Sequence, residues 1–267
     1  MKVLARAAWI LFQAHLWRIF RTRRAYIAAG LAGLPVALAL LVRFVSHFEG
    51  EAPPLELLIS IVWFFLVQTI VPLVSLVMAS AVIAEEIEDR TITYLFTRPI
   101  PRPAILLGRW LAVALPIAAM LVASAELVVR LLENTGTEQG ATVWMPEGMH
   151  GSLLLTVLMG GLVYSALFAS AGALFKRPML IGLGYTFVYE GFLGNLPGAN
   201  QKATVVYYLR SYLFSERRSM MGEVEEAIFS VTLAETGSAA RSLALILLGA
   251  LALGAWRFTK REYVLAA

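Results

Sequence analysis

The sequence predicts an all-α, polytopic membrane fold, and three observations carry that prediction. Of 267 residues, 59% are hydrophobic and 15% are charged, where a soluble domain carries about 25% charged residues. A soluble fold of this length would have to hide more apolar surface than one core can hold. Second, the apolar residues gather into six segments, each near the roughly 20 residues a helix needs to cross hydrocarbon. Third, the connections between them sort by charge, basic on one side and acidic on the other, as membrane loops do.

Before the first span lies an interrupted segment. Trp9, Phe12, Leu16 and Ile19 recur at helical spacing and form one stripe, with Arg6, Gln13 and Arg18 off it. Gln13, His15 and Arg18 make the stretch too polar to span. It suits an amphipathic helix lying in the interface, anchored by Trp9, Trp17 and the Arg21, Arg23, Arg24 cluster. An ordinary basic flank with a few aromatics is the other reading. No small-residue cleavage site follows, so the segment reads as mature protein and not as a signal peptide. The spans are expected at about 26–45, 57–84, 104–132, 152–175, 179–196 and 242–258.

The charges orient them. With the N-terminus inside, the cytoplasmic segments hold Lys2, Arg6, Arg18, Arg21, Arg23, Arg24, Arg90, Arg98, Arg102, Lys176, Arg177, Arg257, Lys260 and Arg261. The outside loops hold mostly acids, among them Glu49, Glu51, Glu56, Glu133, Glu138, Glu147, Glu223, Glu225, Glu226 and Glu235. Lys202, Arg210, Arg217 and Arg218 are the outside exceptions, in the longest outside segment, where the bias counts for less. Both termini are therefore expected inside, with one membrane domain over 1–267 and 1–24 as its interfacial helix.

Residues 85–103 form the expected inside loop between spans two and three. Glu85, Glu86, Glu88 and Asp89 cluster at the end of span two, a short amphipathic stretch runs from 91 to 97, and Pro99, Pro101 and Pro103 end any helix. Pro103 suits the first turn of span three. The segment reads either as a short, sharply delimited helix offering a docking surface, or as a solvated connection whose acids avoid lipid.

The run Glu85-Glu86-Ile87-Glu88-Asp89-Arg90-Thr91-Ile92-Thr93-Tyr94-Leu95, then Thr97-Arg98-Pro99-Ile100-Pro101-Arg102, then Leu107-Gly108-Arg109, resembles the ABC type-2 exporter permeases. Their pattern there is acid-rich, then Gly/Arg-Thr, then Leu-x-x-x-Pro-(Ile/Val)-(Ser/Pro)-Arg, then Leu-Gly-Lys. Arg90 stands where Gly is common and Arg109 where Lys is common. The stretch from Tyr189 to Pro197, followed by Tyr207-Tyr208-Leu209-Arg210, also looks like a bacterial branch of that family.

The resemblance implies an elbow helix at the N-terminus, a cytoplasmic coupling helix between spans two and three, and short extracellular re-entrant helices within 197–240. It implies a homodimer in the bacterial inner membrane, bound from below by two ATPase subunits that hold ATP and Mg. By carry-over, Glu85, Glu86, Asp89, Arg90, Thr91, Thr93, Leu95, Arg98, Pro99 and Arg102 form the ATPase-coupling contact, with Glu85, Glu86 and Arg102 as its polar fringe. The chain itself has no Gly-x-x-x-x-Gly-Lys-Ser/Thr phosphate loop, so hydrolysis falls to the partner and no intrinsic enzyme activity is expected.

Glu126 and Arg130, four apart on one helix face, and Glu190 in the fifth span lie at membrane depth, where charges pair or face a polar cavity. They read as translocation-path residues or as packing ion pairs, with Arg43 and Arg130 snorkelling outward. Glu190 has no evident partner in its own stretch. The histidines, His15, His47 and His150, lack metal-ligand spacing, and cysteine is absent, so thiol chemistry is excluded. Two rival classes stay open: a carrier or channel driven by an ion gradient, which would need broken helices at the midplane, and a non-transporting anchor of a complex.

Overall fold

A computed structural model describes residues 19, 21–49, 55–81, 102–133, 149–195, 199–214 and 233–260. Among these the ordered elements are all helical. Segments 1–18 and 82–101, and with them most of the expected elbow and coupling helices, lie outside the described residues.

Helix α1 spans Arg23–Glu49. Its start is set by Thr22, whose hydroxyl accepts the Ala25 N–H at 3.3 Å and donates to the Ile19 carbonyl at 2.8 Å. A threonine at the N-cap satisfies one of the free amides of the first turn, and the same hydroxyl turns the preceding chain. Helix α2 is one rod in three stretches, Leu55–Ser60, a π-helical Ile61–Ile70, and Val71–Ala79. Thr69 Oγ1 bonds the carbonyl of Phe64, five residues back, at 2.7 Å, in keeping with the wider turn. Helix α3 runs Arg102–Glu133 and α4 runs Met149–Leu174. Helix α5 begins at Pro178–Gly184 and continues in a π-helical stretch, Tyr185–Leu193. A 3₁₀ turn at Ala199–Ala203 leads to α6, Val205–Phe214, and α7 spans Thr236–Lys260.

Five of these helices are long and apolar enough to cross a membrane: Arg23–Phe48, Ile61–Ala79, Pro103–Leu132, Met149–Leu174 and Thr236–Lys260. The segment expected to be a continuous fifth span over 179–196 is shorter than the others. It holds 7 residues in its first stretch and 9 in its second, and ends at Leu193. Gly194 is its C-cap residue.

α4 is the hub; α2, α3, α6 and α7 all pack on it. Small residues make that possible, as they do wherever membrane helices approach closely. A methyl group placed on Gly160 would lie 3.0 Å from Val71 Cγ1 and 3.2 Å from Leu209 Cδ1, and one on Gly161 would lie 3.1 Å from Leu121 Cδ1. Polar side chains fasten two of these contacts and the one between α1 and α3. Ser124 donates to the Ala32 carbonyl at 2.6 Å, Trp110 Nε1 to Ser165 Oγ at 3.1 Å, and Ser170 to the Ala250 carbonyl at 2.7 Å. Gly254 sits on that last contact: a Cβ there would lie 2.5 Å from Ser170 Oγ and 2.9 Å from its Cβ. Gly254→Val is therefore expected to part α7 from α4 and to cost roughly 1–3 kcal/mol, read as a lower unfolding midpoint of the detergent-solubilised protein.

Large apolar side chains point outward along α1 (Tyr26, Leu41, Phe44, Phe48), α5 (Leu180, Phe187, Val188) and α7 (Leu245, Leu248, Trp256). On α1 and α7, which are of spanning length, such faces belong to a lipid solvent.

Candidate functional site

The polar centre of the bundle is the break between α5 and α6. Glu190 has no exposed surface, and its carboxylate is fully engaged. Oε1 accepts the Tyr185 hydroxyl at 2.5 Å and the Val205 N–H at 3.0 Å; Oε2 accepts the Val206 N–H at 2.9 Å. Those two amides open α6 and have no partner within their own helix. A carboxylate there also complements the positive end of the helix dipole. Thr204 finishes the cap, accepting the Tyr207 N–H at 3.3 Å and donating to the Gln201 carbonyl at 2.7 Å.

Arg210 works in the other direction. Its Nη2 donates to the Gly194 carbonyl at 2.9 Å, at the end of α5, and to Gln201 Oε1 at 3.3 Å. The guanidinium carbon lies 6.0 Å from the centre of the Trp63 ring, which meets Phe214 edge-on at 5.6 Å. Gly194 itself must lack a side chain, because a Cβ would lie 2.3 Å from the Glu190 carbonyl oxygen. Around the break the aromatic rings meet in series: Tyr164 stacks on Phe168, Phe168 meets Tyr185 edge-on, and Tyr185 stacks on Tyr189.

A second polar cluster joins the far ends of α3 and α4. Glu126 Oε1 accepts Arg130 Nε at 2.7 Å, and Oε2 meets His150 Nε2 at 2.6 Å. The sequence reading paired Glu126 with Arg130 but passed over His150, whose position at the start of α4 brings it across the intervening segment. The side chains are 27%, 70% and 37% exposed for Glu126, Arg130 and His150. At such exposure screening limits the pair, and Glu126→Gln is expected to shift stability by less than about 1 kcal/mol.

The expected coupling residues Glu85, Glu86, Asp89, Arg90, Thr91, Thr93, Leu95, Arg98 and Pro99 lie outside the described residues; Arg102 is described as the first residue of α3. Arg43 is exposed on α1, in keeping with an outward-reaching charge, and Arg109 is buried in α3. No grouping of His, Asp or Glu that could hold a metal occurs among the described residues. The sequence showed no evident partner for Glu190 in its own stretch. The structure corrects this: Tyr185, five residues back in the same segment, donates to it, and its other two partners are the main-chain amides of Val205 and Val206, which no side-chain pattern announces.

The whole helical bundle, from within the N-terminal segment to just past the end of α7, carries a family signature. A family model described as "ABC-2 family transporter protein" matches residues 13–263. The chain belongs to this family. It is thus the membrane component of an ABC transporter, a multi-pass permease. Individual curated proteins give no significant match. In this ABC-2 permease the matched stretch contains both the α5–α6 break and the 85–103 segment. One cue to the break was present in the sequence: Arg210 is a basic residue that violates the charge sorting, and it is the arginine buried at 0% exposure.

Proposed function

We propose that this ABC-2 permease exports a hydrophobic or amphipathic substrate, driven by separate ATPase subunits that grip residues 85–103 from the cytoplasm. The observation that carries the reading is the family match over residues 13–263, which includes the acid-rich, proline-terminated segment. ATP and Mg belong to the partner. This chain contributes the handle and the lipid-embedded helices: Thr91, Thr93 and Leu95 offer a short amphipathic face, while Glu85, Glu86 and Arg102 fringe it with charge. Two copies of the chain with two ATPases, in a bacterial inner membrane with both termini inside, complete the reading.

An ion-gradient carrier would use a broken helix with a free coordinating group at its centre. The α5–α6 break has the broken helix. Both oxygens of Glu190, however, are committed to amides and a phenol, which favours a structural cap over an ion ligand. The test is reconstitution. The permease co-expressed with an ABC ATPase is expected to co-purify with it and to move a lipid-like reporter across vesicles only with ATP. Transport that follows an ion gradient without any ATPase would overturn the reading.

A further inference from the structure

Helices α4 and α7 run side by side in the same direction. Leu209 of α6 packs on Gly160 of α4, and the Ala234 N–H, just before α7, donates to Ser211 Oγ of α6 at 3.1 Å. Further along both helices Ser170 donates to the Ala250 carbonyl at 2.7 Å. α3 closes one side of this seam: Trp110 bonds Ser165, and Leu106 Cδ2 lies 3.2 Å from a Cβ placed on Gly254. At about 100° per residue, the other side is bordered by Leu167, Ala171 and Leu174 on α4 and by Leu253, Arg257 and Lys260 on α7. Both triplets are spaced by four and three, so each is one stripe. The α4 stripe is half-buried and the α7 stripe is exposed. α6 covers the seam only nearer its other end, at Gly160.

The charge at the foot of this strip is one-sided. Lys176 and Arg177 follow the last turn of α4, Arg257 and Lys260 lie in the last turn of α7, and all four are exposed. Lys176 and Lys260 each stand six residues beyond the contact of Ser170 with Gly254 (170 to 176, 254 to 260), so they lie near one level. A helix C-terminus offers about half a negative charge, so two such ends offset roughly one of the four cations. Acids do not offset the rest. Those among the described residues, Glu49, Glu56, Glu126, Glu133, Glu190 and Glu235, lie toward the other end of the bundle or at the α5–α6 break. Lys260 Nζ stands 4.8 Å from the ring centre of Trp256, which is half exposed. An amphipathic pair of that kind suits the boundary between hydrocarbon and headgroups.

We propose that the open side of the α4–α7 seam binds an anionic phospholipid, its phosphate held by Lys176, Arg177, Arg257 and Lys260 and an acyl chain lying along Leu167, Ala171 and Leu253. Arginine grips a phosphate through parallel N–H bonds, and lysine adds a point charge. Basic groups between membrane helices select anionic headgroups from a mixed bilayer. A zwitterionic headgroup brings its own ammonium and gains little from them. Such a lipid is a resident of the permease and not its cargo, and it binds with or without an ATPase.

The chain has no cysteine, so one fluorophore can be placed at will. Leu253→Cys carries a bimane label beside the strip. Leu245→Cys, about two turns away on the same helix, is the control, and both positions are exposed. The full chain is reconstituted without an ATPase in phosphatidylcholine vesicles. A small fraction of the lipid has brominated chains, as phosphatidylglycerol or as phosphatidylcholine, and these quench only a fluorophore they touch. At 253, brominated phosphatidylglycerol is expected to quench at about one-tenth the concentration that brominated phosphatidylcholine needs; at 245 the two are expected to quench alike. Equal quenching at 253 overturns the proposal. The same preference at both positions also overturns it, because that is general attraction to a basic protein. Lys176→Gln with Arg257→Gln is expected to erase the preference at 253, and a preference that survives overturns the site. If the double variant does not reconstitute, Lys176→Gln alone is read in the same way.

Discussion

Glu190→Leu is expected to produce a permease that barely holds together. The substitution keeps the volume of the side chain and removes the acceptor of the Val205 and Val206 amides and of the Tyr185 hydroxyl. Each buried donor left alone costs about 1–3 kcal/mol, and no water is at hand inside the bundle to take its place. The loss should reach on the order of 3 kcal/mol or more, lowering the unfolding midpoint by about 10 °C. Tyr185→Phe removes one of the three bonds and its donor together, and should cost only about 1 kcal/mol. Thermal unfolding in detergent, followed by size-exclusion profile, compares the two. Equal and small effects would mean that the carboxylate is not what closes the break.

The second large effect is expected at the other end of the molecule. Leu95 is one of the apolar residues of the short amphipathic stretch 91–97. If the partner ATPase encloses that stretch, Leu95→Asp places an unpaired carboxylate in the contact, where desolvation costs several kcal/mol. Loss of a central apolar anchor at an interface is typically worth 2 kcal/mol or more. Retention of the ATPase on affinity-purified permease is therefore expected to fall by about 100-fold, with the unfolding midpoint of the permease itself measured alongside. Arg102→Ala, at the polar fringe, should weaken retention by only a few-fold, as exposed charges do. Undiminished retention in Leu95→Asp would place the contact elsewhere.

Much of the bundle was legible because hydropathy and length decide it: the apolar runs around Ala39, Val74, Ala118 and Val163 became α1 to α4, and the run around Leu247 became α7. The fifth segment was less so. Its composition is that of a span from Met179 to Leu196, but Gly191 and Gly194 let the chain turn inside the apolar region, and the helix that follows, Val205–Phe214, carries Arg210 and looks too polar for such a position until its guanidinium is seen against Gly194 and Trp63. Hydropathy scores residues one at a time, whereas a buried charge is accommodated by a partner that only the fold supplies. Glu190 shows the same limit from the opposite side. Its position at depth was evident, but amides have no sequence signature, so the Val205 and Val206 partners were not, and the nearby Tyr185 hydroxyl was passed over. His150 was missed because 24 residues separate it from Glu126. Helix-face spacing can pair Glu126 with Arg130 but cannot see across a turn.

The most direct measurement uses the cysteine-free background once more. A single cysteine at Thr93, carrying a short photoactivatable cross-linker, is placed in the permease and illuminated in inside-out membrane vesicles containing a co-expressed ABC ATPase. An ATP-driven permease gripped through 85–103 gives a cross-linked permease–ATPase band whose yield changes when ATP is added. A cysteine at Thr93 that labels only from the outer face, or one that labels from the inside yet never cross-links to an ATPase that remains bound, would contradict it.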